Sequence, residues 1–179
     1  MTLVRHAATD WSGLRYCGRS DPALNAAGRA ASIALANDLA PTLAVGTRIV
    51  SSPSQRARQT AEAIAAAAGI ADIVFDERWR EADCGIAEGL TFDEVSRVAP
   101  GTARQLAEGA SEIDWPDGES AADLAARIGA AWRDLDDSAT ETVVVSHAGP
   151  LRIAIALATG VPTGTIAFLE TATAFRLPR

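Results

Sequence analysis

The chain holds 179 residues, 48% of them hydrophobic and 22% charged, with a formal net charge of −7 at pH 7. That length suits one domain with a substantial core, and the composition argues against disorder. A negative balance with 5% aromatic residues is a poor footprint for nucleic acid, so an anionic ligand here needs a local cluster of arginines.

Short β-rich runs alternate with helical patterns along the chain, which predicts an α/β fold built as a three-layer α/β/α sandwich around a mostly parallel sheet. Strands are expected over residues 2–4, 48–50, 73–75 and 142–145, with a later pair near 166–169 and 174–177. Helices are expected over residues 26–39, 54–68, 121–135 and 151–159. Residues 78–119 are less regular, with a short helix near 92–98, and read as an insertion covering the carboxyl edge of the sheet within a single 1–179 domain. Cys17 and Cys84 lack CxxC spacing, which argues against a disulfide framework or a zinc site. The longest apolar run, "GPLRIAIALATGV", is interrupted by Arg152 and is too short to cross a bilayer. With no leader ahead of Met1, the expectation is a reduced, cytoplasmic protein with neither nucleic-acid nor membrane partners.

One helix start can be read closely. In "SSPSQRARQTAEAI", Ser52 is the predicted N-cap, Pro53 the first helical residue and Gln55 the partner that completes a capping box. The helix dipole, its open N–H groups and Arg56 then face one sheet edge, a suitable seat for a phosphate. Arg58 reads as a solvated helix residue.

The two histidines, His6 and His147, each follow a strand-like run, "TLVRHA" and "TVVVSHAGP". If those strands are neighbours, both imidazoles line one crevice at the carboxyl ends of the strands. No HxH or HExxH spacing supports a metal, and flanking arginines oppose a cation. No GxSxG elbow supports a serine hydrolase. A phosphoryl site alone makes use of the arginines: they neutralise phosphoryl oxygens while one neutral imidazole attacks phosphorus and the other stabilises charge. A carboxylic acid nearby should protonate the leaving alkoxide, and Glu77, Glu81, Asp83 and Glu88 compete for that task.

Six segments in order carry a resemblance: "LVRHAATDW", "YCGRSDPALNAAGRAAS", "SSPSQRARQTAEAI", "WREADCGIAEGLTFDEV", "WPDGES" and "VVVSHAGPLR". Together they resemble the histidine phosphatase superfamily, which includes cofactor-dependent phosphoglycerate mutase. The resemblance implies a phosphoglycerate mutase-like fold with His6 as the nucleophile that becomes phosphohistidine. It implies Arg5, Arg56 and Thr9 around the phosphate, His147 as the second pocket histidine and Glu81 as the proton donor. It implies no cofactor and no metal. Many members pair, so a homodimer is an expectation of the same kind.

Departures from the family pattern are Ala7 in place of glycine after the nucleophile, Ser12 where asparagine is common, and "SHAGP" in place of "SHGG". Ala7 is expected to be tolerated while tightening the pocket. Ser12, Arg15 and Arg19 are the candidates for further substrate contacts, and Arg152 reads as structural. The chain has little room for the longer insertion of the classical mutases, and from 88 to 117 its arginines are Arg97 and Arg104 alone. The resemblance therefore favours a metal-independent phosphomonoesterase, a histidine acid-type phosphatase acting on a small-molecule phosphomonoester. Within the superfamily, "YCGRSDPALNAAG" and "WREADCGIAEG" look most like the branch containing α-ribazole phosphatase. A mutase-type phosphotransferase and a non-catalytic phosphate-binding module are the alternatives.

Overall fold

The computed structural model describes residues 1–110, 112–135 and 141–177. Five strands form one sheet: β1 (Thr2–Arg5), β2 (Arg48–Ser51), β3 (Ile73–Phe75), β4 (Thr142–Ser146) and β5 (Ala174–Arg176). Their order is β3-β2-β4-β1-β5, with β5 antiparallel to β1 and the remaining pairs parallel. β1 and β4 are therefore neighbours, in a register that sets Val4 beside Val145 and Arg5 beside Ser146.

Side chains on the central strands alternate between two cores, as the period of two requires. Val4, Ile49, Val143 and Val145 face α1 (Ala26–Leu39) and α2 (Gln55–Ala68), where Ala36, Ala57, Ala61 and Ile64 are buried. Leu3, Val50 and Val144 face α5 (Ala121–Arg133) and α6 (Ala148–Thr159), packing on Ile128, Leu151 and Ala154. Each large aliphatic chain buried this way contributes roughly 1.5–3 kcal/mol. Small alanines let α1 and α2 approach each other and the sheet closely. A third cluster, Cys84, Ala87, Val95, Ala99 and Ala103, holds α3 (Phe92–Val98) and α4 (Pro100–Ala107) together beyond the sheet edge.

Three local expectations are corrected. Residues 166–169 form no strand: Leu169 turns its carbonyl to the Arg5 guanidinium at 2.5 Å, and β5 alone occupies that edge. Helix α4 was not anticipated, because "PGTARQLA" opens on a Pro-Gly pair that reads as a turn. Ser52 does not cap α2, whose N-cap is Ser54 without a side-chain cap bond. Asp21 instead caps it from a distant loop, accepting from the Gln55 N–H at 2.6 Å.

Candidate active site

His6, Ser52 and His147 each stand one residue beyond a parallel strand. The His6 N–H donates to the Ser146 carbonyl at 3.0 Å, and the Ser52 N–H to the Val145 carbonyl at 2.9 Å. Strand register alone thus converges three polar side chains, and the two imidazoles meet edge to face with centroids 5.0 Å apart.

The loop after β1 is held by its backbone. His6 Nδ1 lies 2.7 Å from the Ala7 carbonyl, and since a carbonyl only accepts, Nδ1 carries the proton and Nε2 keeps its lone pair. Burial drives the His6 imidazole down to about 3, reinforced by the Arg56 and Arg5 charges and opposed by the Ala7 hydrogen bond. The ring is therefore a neutral nitrogen base at physiological pH. The Ala7 N–H donates to Thr60 Oγ1 at 3.0 Å. Ala7 is absent from the positive-φ positions, so a Cβ brings no backbone strain there. A little further on, Gly28 of α1 sits where an added Cβ would come 2.0 Å from the Ala8 carbonyl, so the helix can pack on the loop only as glycine.

His147 lies one layer deeper. It is fully buried, burial holds its ring well below the ordinary value, and the Arg56 charge adds to that. Its Nε2 is 2.9 Å from Ser52 Oγ, while Nδ1 has no protein partner. Ser52 Oγ also accepts from the Ser54 N–H at 3.3 Å. The Ser52 hydroxyl is also a donor to Ser54 Oγ at 3.3 Å, so its single hydrogen serves either Ser54 or the imidazole. Ser52, predicted as a helix cap, is thus diverted to the histidine.

Arg56 is 1% exposed, and a cation so buried needs acceptors. It finds them in the carbonyls of Ser20 at 2.8 Å, Gly18 at 3.1 Å and Cys17 at 3.2 Å. That loop is fixed by Glu88, whose carboxylate accepts from the N–H groups of Gly18, Arg19 and Ser20. Arg5 keeps a buried Nε without a protein partner. Burial lowers the Arg5 pKa, against the attraction of Glu81 and Glu170.

Four carboxylates competed for the acid's place, and they separate clearly. Glu77 pairs with Arg80 in solvent, Asp83 accepts from the Gly85 N–H at 3.0 Å, and Glu88 anchors the 18–20 loop. Of the four, only Glu81 lines the cavity. Its Oε1 accepts from the Ala82 N–H at 3.0 Å, and Oε2 is 3.4 Å from the Gly149 N–H in the first turn of α6. Arg127 steadies the segment through the carbonyls of Arg78, Arg80 and Glu81, itself paired with Glu119 of the "WPDGES" motif at 2.7 Å. No local signal in the motif marks Glu119 for this task, because its partner Arg127 lies eight residues on, in α5.

Arg5, His6, Thr9, Ser12, Arg15, Arg56 and Glu81 all line one cavity of about 430 Å³. Thr9 and Ser12 are tied to each other, the Thr9 N–H donating to Ser12 Oγ at 2.9 Å. Arg19 does not reach the cavity lining and faces Asp83 and Glu119 at 3.9 Å. Arg152, read as structural, does line it, with its guanidinium 4.5 Å over the Phe168 ring. Arg58 stacks on Phe75 away from the site. Among the described residues, no group of three or more His, Cys, Asp or Glu could hold a metal ion, and no helix is long and apolar enough to cross a membrane.

Known proteins share both sequence and shape with this chain. A Salmonella arizonae protein named "Probable phosphoglycerate mutase GpmB" is 36% identical over 163 residues, 89% of this chain and 74% of that protein. A mycobacterial glucosyl-3-phosphoglycerate phosphatase solved with VO3 superposes with a TM-score of 0.82 at 28% identity, covering 97% of this chain and 88% of its own. The α-ribazole phosphatase from Shigella flexneri shares the fold, with a TM-score of 0.84 at 17% identity over 97% of this chain and 87% of its own. The histidine phosphatase superfamily (branch 1) matches residues 1–174, and the chain belongs to that family.

Proposed function

We propose that the chain is a phosphomonoesterase working through a phosphohistidine on His6. The observation that carries this reading is the fixed tautomer of a neutral, cation-flanked imidazole: Nδ1–H is held by the Ala7 carbonyl, which leaves Nε2 as the nucleophile. Arg5 and Arg56 neutralise the phosphoryl oxygens, and His147 backs the His6 ring edge to face from beneath the cavity. Nε2 attacks phosphorus, the P–O ester bond breaks, and Glu81 gives its proton to the leaving oxygen. The Glu81 carboxylate then takes a proton from water, the water oxygen attacks phosphorus, and the P–N bond returns its electron pair to Nε2. Glu81 suits both steps because it faces the cavity near α6. The phosphatases among the structural relatives support the same reading.

The test is phosphate release in EDTA, with intact-protein mass measured during turnover. The expected result is turnover with a phosphate-sized mass increment, both lost in His6→Ala. Turnover that survives His6→Ala overturns the assignment. A mutase reading has one specific support, the names of the relatives at 36% identity. It predicts that 3-phosphoglycerate yields 2-phosphoglycerate instead of inorganic phosphate, which phosphorus NMR separates.

A further inference from the structure

The cavity continues well past the phosphate-facing groups. At about 430 Å³ it lies within the range that holds an organic ligand. Beyond Arg5, His6, Arg56 and Glu81 its wall is built from Trp11, Tyr16, Leu106, Ile113, Trp115 and Phe168. These come from separate places: the loop after β1, helix α4, the segment before α5, and the segment before β5. Tyr16 and Trp115 pack ring to ring at 5.5 Å, fixing one aromatic side of the opening. Phe168 is 55% exposed on the opposite lip, although burying it would be favourable. An exposed aromatic on the rim of an apolar cavity marks a surface that a ligand covers.

The charges on the same wall discriminate further. Arg15 donates to the Gly89 carbonyl at 2.6 Å and sits 3.4 Å from the Glu94 carboxylate. Arg152 donates through Nε to the Thr163 carbonyl at 2.8 Å and lies flat on Phe168. Glu112 adds a carboxylate to the lining. Glu112 opposes a second anionic group at this wall, although Arg15 and Arg152 each keep further N–H donors beyond these bonds.

We infer that the substrate is the phosphomonoester of an alcohol with a bulky, largely apolar or aromatic skeleton, because a phosphate-facing corner opens onto a wall of aromatic and aliphatic side chains. This rests on the phosphomonoesterase reading and deepens it. The wall binds the leaving alcohol, so discrimination falls mainly in KM.

The test compares three alkyl esters, whose alcohols are similarly poor leaving groups: 2-(2-naphthyl)ethyl phosphate, glycerol 3-phosphate and 3-phosphoglycerate. The expected kcat/KM for the naphthyl ester exceeds that for 3-phosphoglycerate by roughly 100-fold or more. Phe168→Ala, at an exposed site where folding is little affected, should raise KM for the naphthyl ester about tenfold. The ratio of kcat/KM for the naphthyl ester to that for glycerol 3-phosphate should fall about tenfold with it, since a small polar ester barely uses the wall. Ile113→Lys should narrow the gap between naphthyl ester and 3-phosphoglycerate by adding a cation. Equal or better use of 3-phosphoglycerate, or a naphthyl KM unmoved by Phe168→Ala, overturns the inference while leaving the phosphomonoesterase reading intact. Hydrolysis of none of the three overturns that reading and this inference with it.

Discussion

Gly149→Ala should make the protein no less stable while slowing it, and the two effects have separate causes. Gly149 lies in the first turn of α6 without a positive φ, so alanine fits its backbone and gains about 0.5–1 kcal/mol of helix preference. The new Cβ would stand 2.7 Å from Glu81 Oε1 and 3.7 Å from Leu124 Cδ2. The second contact is ordinary; the first forces the carboxylate back by about 0.7 Å, which its flexible end can do. A misplacement of that order costs a proton-transfer group roughly 10- to 100-fold in rate. The loss should appear with 2-phenylethyl phosphate, whose alkoxide needs a proton, and be much smaller with p-nitrophenyl phosphate, whose phenolate leaves unaided. Phosphate release from both esters, with a urea titration of each protein, reads all three quantities. An alkyl-ester rate within twofold of the parent in a stably folded variant would refute Glu81 as the acid. Equal losses on both esters would instead show that the methyl group obstructs the phosphate seat.

Ser52→Ala removes the partner of His147 Nε2 and frees the ring that backs His6; kcat should fall about tenfold or more with little change in KM, Ser52→Thr should restore most of it, and a change confined to KM would refute a positioning role for Ser52. Glu88→Gln replaces a carboxylate that accepts three backbone N–H groups with an amide that can serve fewer. Stability should drop by about 2 kcal/mol, and inorganic phosphate should inhibit more weakly because Arg56 loses its carbonyl frame. Thermal unfolding and inhibition by phosphate check the pair. For pH, His6 is held at about 3 when folded against an ordinary 6.5 when unfolded, so the unfolded chain binds the proton first as pH falls. The stability present above pH 6.5 is lost between 6.5 and 3, about 2–3 kcal/mol of it by pH 4.5 from this ring. Urea midpoints across that range should decline less steeply in His6→Asn, and parallel declines would contradict a buried neutral ring.

Much of the frame was legible because its signals are local. Five strand segments and the four longer helices follow from apolar period and punctuation, and the paired position of His6 and His147 follows from strand ends alone. What failed was decided by partners distant in sequence. The 166–169 run has strand-forming residues, yet with β5 on the sheet edge its Leu169 carbonyl serves Arg5 instead. Ser52 has the chemistry of a cap, but a buried histidine 95 positions away competes for its hydroxyl, and Asp21 takes over the helix end. Among the four nearby carboxylates, sequence spacing alone puts Glu81 only slightly ahead of its neighbours. The choice is made by where "WREADCG" is pinned, through Arg127, against α5.

The arrangement also explains how so acidic a chain could hold the proposed phosphate seat. The acidic residues nearest the site are largely spent on structure: Glu88 on a loop, Glu119 on Arg127, Asp21 on a helix end. Arg5 and Arg56 are thereby left to dominate the field at the strand ends. Their second effect is on the imidazoles, since the same positive charges that would attract a phosphoryl group oppose protonation of His6 and His147. Burial and cations push these rings in one direction, toward a neutral base. When a dianionic phosphate is seated, its charge offsets the arginines, so an imidazolium forming on the attacking nitrogen becomes easier to bear at the moment the P–N bond forms. Nucleophile and anion seat are thus one electrostatic unit, and a substitution at either arginine should shift imidazole protonation and phosphate affinity together.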